Sequence, residues 1–403
     1  MRKRLFTGVI VATMAAASLV ATTAASTAAT DSKAKIDYSK CTSLVSCGGM
    51  DALVKAAQKE GKLNVITLPR DWANYGEAMD LFSKAFGIKI TDDNPDGSSA
   101  YEIQTVKTAP SSKVPDAVDV GITYGADNAN LFSPYKVQNW KDITPTYKDA
   151  AGRWYGDYAG VIALSYDTSI SKAPTSFNDL KDPAFKNQVA IGGDPSGAQE
   201  ALMSVFAANL ANGGSTSNVQ TGIDYFKSLK DSGNFVTALA NGQNFLAGAY
   251  KVSFSWSFNG PGAVATAAKA GKTLKYVIPS DAVIKGTPYI MAIPFNAPHP
   301  AAARLWTEFL YSENKGKGSA NLGSVKGLTG SKIFSSINGG QNIWIAGGAL
   351  PIEYDAMVAK GTNAAAPAGY GIPAGAKIVT PSPADQDAAK ALLKAQWPAI
   401  AGN

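Results

Sequence analysis

The sequence predicts an α/β protein of two lobes joined by a hinge, with a ligand cleft between them. Three observations predict it. Strand-like and helix-like segments alternate along most of the chain, the pattern of a sheet covered by helices. The processed chain of about 375 residues exceeds what one hydrophobic core supports. The pattern also builds one α/β series, then another, then returns, so the backbone crosses between lobes at least twice.

The chain opens on a leader. Arg2, Lys3 and Arg4 give a positive start, the run 9–20 is mostly apolar, and small residues follow at 21–25. This order is that of a secretory signal peptide, taken as residues 1–29. Its apolar core falls short of the roughly 20 residues a membrane span needs. Residues 30–49 hold the two cysteines, Cys41 and Cys47, expected to form a local disulfide in an exported protein. Leu44-Val45-Ser46-Cys47 matches a lipid-attachment motif locally, but it lies far beyond the apolar core. No lipid anchor is expected.

Lobe 1 begins with residues 50–158. A helix is expected at 50–60, with Met50, Leu53, Val54 and Ala57 on one face and Gly61 as its stop. A strand follows at 62–68, then a helix at 75–86 ended by Gly87, then a strand at 88–91. A helix near 102–107 and a buried strand at 117–122 come next, and 131–147 reads as irregular. Lobe 2 is taken as 159–286. Its strands are expected at 161–166, 189–191, 252–257 and 274–278. Short helices are read at 177–180 and 183–185, and longer ones from 194–197 to 210, at 224–229 and at 263–270. The return to lobe 1, residues 287–335, carries a strand at 289–293 and a helix at 300–311 lined by Ala302, Leu305, Trp306 and Phe309. Residues 336–403 form a C-terminal segment expected to pack across the lobes, with a helix near 384–394.

Composition narrows the function. Of 37 basic and 31 acidic residues, the leader removes three basic ones, which leaves near-neutrality. That gives no electrostatic case for nucleic acid. The single histidine, His299, stands between Pro298 and Pro300 and is read as a surface-loop residue. A histidine metal cluster is therefore excluded, and a Ser-His-Asp or Cys-His site is disfavoured. No catalytic residue, metal ligand or cofactor is assigned.

Several runs resemble a known family. Leu53-Val54-Lys55-Ala56-Ala57-Gln58-Lys59-Glu60-Gly61-Lys62-Leu63 resembles the opening of extracellular solute-binding proteins of the iron, polyamine and phosphonate type, and so does Leu81-Phe82-Ser83-Lys84-Ala85-Phe86-Gly87-Ile88-Lys89-Ile90. Asp71-Trp72-Ala73-Asn74-Tyr75-Gly76-Glu77 is similar to the polyamine-binding branch. Ala292-Ile293-Pro294 and Pro298-His299-Pro300-Ala301-Ala302-Ala303 resemble the family's return strand and helix. The likeness runs over residues 50–330. It implies a type II periplasmic-binding-protein fold, an extracytoplasmic location, a small-molecule ligand and an ABC permease as partner, with the protein a monomer. Ferric-iron members usually carry adjacent tyrosines, and this chain has no Tyr-Tyr pair. The resemblance therefore favours a polyamine or related amine over ferric iron.

In open α/β sheets ligands bind beyond the carboxyl ends of strands, so the loops are where to look. Two chemistries are legible there. Trp72, Tyr75, Tyr155 and Trp256 can frame an aromatic box, with Asp71, Asp157 and Asp194 to neutralise ammonium groups. Alternatively Ser98, Ser99 and Ser196 precede helices whose N-termini attract anions, and Arg153 adds a fork, a set that suits a phosphonate or aminophosphonate. Asn259 closes the last loop. A secreted hydrolase using two carboxylates is the rival from another class. A sensing or adhesion role on the same fold is a third possibility.

Overall fold

Gly61 and Gly87 stop the first two helices by the same device. Each is left-handed (φ 68° and 69°), and its N–H closes onto the last turn, on Ala57 and Ser83. A side chain disfavours this backbone and glycine does not. A computed structural model describes residues 35–361, 373 and 376–402. The leader assigned to residues 1–29 lies outside the described residues.

The first α/β series is α1 (Met50–Glu60), β1 (Lys62–Ile66), α2 (Tyr75–Phe86), β2 (Lys89–Asp93), α3 (Ser99–Thr108), β3 (Val118–Gly121) and α4 (Ile122–Asp127). The irregular stretch that follows is broken by single 3-10 turns, then β4 (Tyr155–Gly156) and β5 (Tyr158–Ala159). The second series is β6 (Ile162–Asp167), β7 (Val189–Ile191), α5 (Gln199–Ala211), α6 (Gln220–Asp231), β8 (Phe235–Leu239), α7 (Gly242–Leu246), β9 (Val252–Trp256), α8 (Gly260–Lys269) and β10 (Leu274–Val277). The chain closes with β11 (Val283–Ile284), β12 (Tyr289–Ala292), α9 (Pro300–Leu310), α10 (Gly330–Ser336), α11 (Gly340–Ala346), β13 (Leu350–Pro351), α12 (Tyr354–Ala359), β14 (Ile378–Val379) and α13 (Pro383–Ala401).

Strands β6 to β10 form one five-stranded sheet in the order β10-β6-β9-β7-β8. It is mixed: β7 runs parallel to β8 and β9, while β6 is antiparallel to β9 and β10. On the other side β12 lies antiparallel between β3 and β4, and β1 pairs in parallel with β2. Helix α5 is enclosed on every face. Ala201, Leu202, Met203, Val205 and Phe206 are all fully buried, which fits the apolar run that follows Gln199 and Glu200 in its first turn.

Residues 157–161 and 278–288 connect the two sheets. They lie side by side, and the Gly286 N–H donates to the Gly160 carbonyl (2.9 Å). The 348–352 segment joins them: β13 pairs with β5, and the Ile352 N–H donates to the Asp157 carbonyl (2.8 Å). Elsewhere the sides meet backbone to backbone. There is no room for a Cβ on Gly262 of α8 against the Asp71 carbonyl. Helix α13 packs Trp397 against Phe226 (ring centroids 5.4 Å apart), and its Lys390 ammonium donates to the Thr123 hydroxyl (3.2 Å).

His299, expected on a surface loop, is held in place instead. Its N–H donates to Asp116 Oδ1 (2.6 Å) and its Nδ1 pairs with Oδ2 (2.8 Å). Asp116 is fully buried, so it keeps only partners that can satisfy a carboxylate there.

Cys41 and Cys47 form the expected disulfide. Arg304 ties that segment to α9: its guanidinium donates to the carbonyls of Cys41 (2.9 Å), Ser39 (2.9 Å) and Pro300 (3.1 Å). The disulfide closes a short loop, so chain entropy predicts a modest contribution of about 2 kcal/mol. Replacing both cysteines by serine is expected to lower unfolding stability by that order in a urea titration. Ligand affinity is expected to stay within twofold.

Candidate functional site

A cavity of about 400 Å³ lies between the two sides. The β1–α2 loop supplies Asp71 and Trp72, the loop into α3 supplies Asp96, Gly97 and Ser98, and Ser99 opens α3. Regular elements supply Glu102 from α3, Asp119 from β3, Tyr124 from α4, Gln199 and Glu200 from α5, and Tyr289 from β12. A smaller chamber of about 130 Å³ adjoins it, and Asp71, Trp72 and Glu200 line both.

The charges in this lining are all acidic. Asp71, Asp96, Glu102, Asp119 and Glu200 face the cavity, and among the described residues no lysine, arginine or histidine does. Asp119 sits between Val118 and Val120 in a strand with every residue buried. Its Oδ2 accepts from the phenols of Tyr75 (2.8 Å) and Tyr158 (2.9 Å), while its buried Oδ1 has no partner. Its backbone N–H donates to Glu102 Oε2 (3.0 Å), and Glu102 Oε1 is likewise buried and unpartnered. Glu200 Oε2 accepts from the Trp256 N–H and from Asn259 Nδ2 (both 3.0 Å).

Burial raises these carboxyls. Asp119 is pushed up to about 7, opposed by its two phenol hydrogen bonds. Glu200 is also pushed up to about 7, opposed by the Trp256 and Asn259 donors. Glu102 lies well above the usual range through burial and then the charge on Asp119. A cation in the cavity would favour the ionised form of each.

The structure separates the candidate residues into groups. Asp71, Trp72, Ser98 and Ser99 line the main cavity, and Asn259 lines the side chamber. Ser98 caps α3 through Tyr101 N–H, and the Ser99 hydroxyl accepts from Gly121 N–H (3.0 Å). Tyr75, Tyr155, Asp157 and Trp256 are buried outside the lining. Tyr155 packs edge-on against Trp140 and Tyr311, Asp157 accepts from Trp344 Nε1 (2.8 Å), and Trp256 stacks on Phe258. Arg153 forks onto Asp149 (2.7 and 3.0 Å), away from the cavity. Asp194 is exposed and accepts from Ser196 N–H (2.7 Å); neither residue is in the lining.

Sequence reasoning passed over Glu102, Asp119, Glu200 and Tyr289. The signal was present for Asp119. A carboxylate flanked by valines in a buried strand is costly unless it is paired or functional.

A mixed five-stranded sheet on one side and the β3-β12-β4 and β1-β2 sheets on the other, joined by side-by-side crossings with an acid-lined cavity between them, define a protein built to enclose a small solute. A family model described as bacterial extracellular solute-binding protein matches residues 112–324, just over half of the chain. The chain belongs to that family. An Fe(3+)-binding periplasmic protein of Serratia marcescens is 33% identical over 129 residues, which is 30% of this chain and only 36% of that relative. Among solved structures, AgtB of A. tumefaciens R10 in complex with agropinic acid is similar at a TM-score of 0.56, with 12% identity over 85% of this chain and 99% of that one. A periplasmic thiamin-binding protein is similar at 0.56, with 15% identity over 85% and 96% of the two chains. The spermidine/putrescine substrate-binding protein PotD of Streptococcus pneumoniae is similar at 0.52, with 14% identity over 84% and 99%. These likenesses are of fold: the chain has the two-lobe α/β architecture of periplasmic binding proteins.

Proposed function

We propose that this protein captures a small organic cation between its lobes and hands it to an ABC permease, without catalysing a reaction. One observation carries the reading: among the described residues, every charged one lining the cavity is a carboxylate. Trp72 and Tyr124 add aromatic faces, which attract cations further. PotD, with the same fold, is named for spermidine and putrescine. The lobe limits taken with this reading are 50–158 with 287–335, and 159–286. The working form is an exported monomer that closes on its ligand. Among the described residues, no helix is long and apolar enough to cross a membrane.

The anionic alternative meets an obstacle in the same lining. A phosphonate at the start of α3 would lie among Asp96, Glu102 and Asp119. The Serratia relative brings ferric iron forward as a second reading. A ferric site wants tyrosinate or several carboxylates. Burial raises both Tyr124 and Tyr289, which opposes ionisation of either phenol. The one trio of described carboxylates that converges, Asp142, Glu313 and Glu353, lies outside the cavity lining.

A thermal-shift screen of the processed protein tests the reading. Putrescine, spermidine, simple monoamines, phosphonates and ferric iron form the panel. A ligand at 100 times its Kd adds about 2.7 kcal/mol of stability. A shift with amines and none with phosphonates is expected. A shift with phosphonates alone would sink the proposal, and a visible charge-transfer band with ferric iron would replace it by the second reading.

A further inference from the structure

The side chamber has the wrong chemistry for a bare ammonium. Its far walls are Phe245, Tyr250, Phe254, Ala267 and Leu274, all less than a tenth exposed. Ser165, Ser253, Ser255 and Thr266 add hydroxyls to the wall, and three of the polar groups are engaged. The Tyr250 hydroxyl donates to the Asn241 carbonyl (2.8 Å), and the hydroxyls of Ser165 and Ser255 bond each other (2.8 Å). Water needs two or more polar partners to be held in such a space. An apolar cavity of about 150 Å³ takes up benzene, and this chamber is about 130 Å³.

The mouth is different. Glu200 stands there with Asp71, and Asn259 places a buried Oδ1 in the same chamber with no hydrogen-bond partner. Its Nδ2 is already given to Glu200, which fixes the orientation of the amide. The Oδ1 is shielded from the open space, so a small turn of the amide brings this orphaned acceptor, beside a carboxylate, to a donor that carries positive charge.

We infer that the captured solute is an arylalkylamine or cycloalkylalkylamine, with its ammonium between Glu200, Asp71 and Asn259 Oδ1 and its ring in the side chamber. This rests on the organic-cation reading and adds the ring. A linear diamine satisfies the mouth but leaves the chamber unfilled, so it binds more weakly than a ring-bearing amine of the right length.

Calorimetric titration of the processed protein with ethylamine, phenethylamine and putrescine is the test. Phenethylamine is expected to bind at least tenfold more tightly than ethylamine. Ala267→Leu fills the chamber and is expected to weaken phenethylamine at least tenfold more than putrescine. Overfilling can destabilise, so Phe245→Ala, which enlarges the chamber, serves as the opposite probe. It is expected to shift preference from phenethylamine toward a naphthyl amine. Equal affinities for ethylamine and phenethylamine, with the diamine still bound, would overturn the ring and leave the cation reading standing. No binding of any amine would overturn both.

Discussion

Glu200→Gln is expected to weaken capture of an organic amine by about tenfold to a hundredfold. Hydrogen bonds to charged groups contribute about 1.5–3 kcal/mol, and each 1.4 kcal/mol is tenfold in affinity. Glu200 lines both chambers, so no rearrangement of the ligand between them escapes the change. Glutamine keeps the shape and an oxygen that can accept from Trp256 N–H and Asn259 Nδ2. The fold is therefore expected to survive. The unliganded variant should be more stable than the parent at pH 8, because a buried carboxylate no longer has to ionise. Titration calorimetry and urea unfolding on the same samples read the two effects. Unchanged affinity would place the ammonium elsewhere in the cavity.

The second large effect is of pH. Asp119 and Glu200 are each pushed up to about 7 by burial, against about 4 for an ordinary carboxyl. The folded protein therefore holds these protons more tightly than the unfolded chain. Their stabilising contribution is complete below about pH 4 and is lost as pH rises through about 7. The melting temperature of the unliganded protein should fall between pH 5 and pH 8. Cation affinity should run the opposite way, rising across that range as the carboxyls ionise. Binding near pH 7 should release protons, which calorimetry in buffers of different ionisation enthalpy detects. A flat affinity profile from pH 5 to 8 would contradict the charge assignment. Asp119 also links the site to the crossing segment, since its Oδ2 receives the Tyr158 phenol. Ionisation in the cavity is thus felt where the lobes join.

The sequence was legible where the signal is local. Helices α1 and α2 were read to the residue because Gly61 and Gly87 leave no alternative stop. β8 went unread although Phe235, Val236, Ala238 and Leu239 are apolar: it is a short edge strand in which only Phe235 is buried. β13 and β14 went unread for another reason. Their partners, β5 and β11, lie far away in the chain, so nothing local marks them. The site divided in the same way. The rule that ligands sit on loops found Asp71, Trp72, Ser98, Ser99 and Asn259, which do line the two chambers. It missed Glu102, Asp119 and Glu200 because they are carried by α3, β3 and α5. It also drew in Tyr75, Tyr155 and Trp256. The number of aromatics in a loop does not say which face they turn to, and these turn inward.

At Gly262 the lobes meet through main chain, on the Asp71 carbonyl, while the charge offered to the solute comes from side chains. The two tasks are written in different alphabets. Exchanging residues in the lining can reassign the cargo and leave the closing surfaces untouched. A lineage carrying this fold can therefore change its diet one side chain at a time, without having to reinvent the jaw.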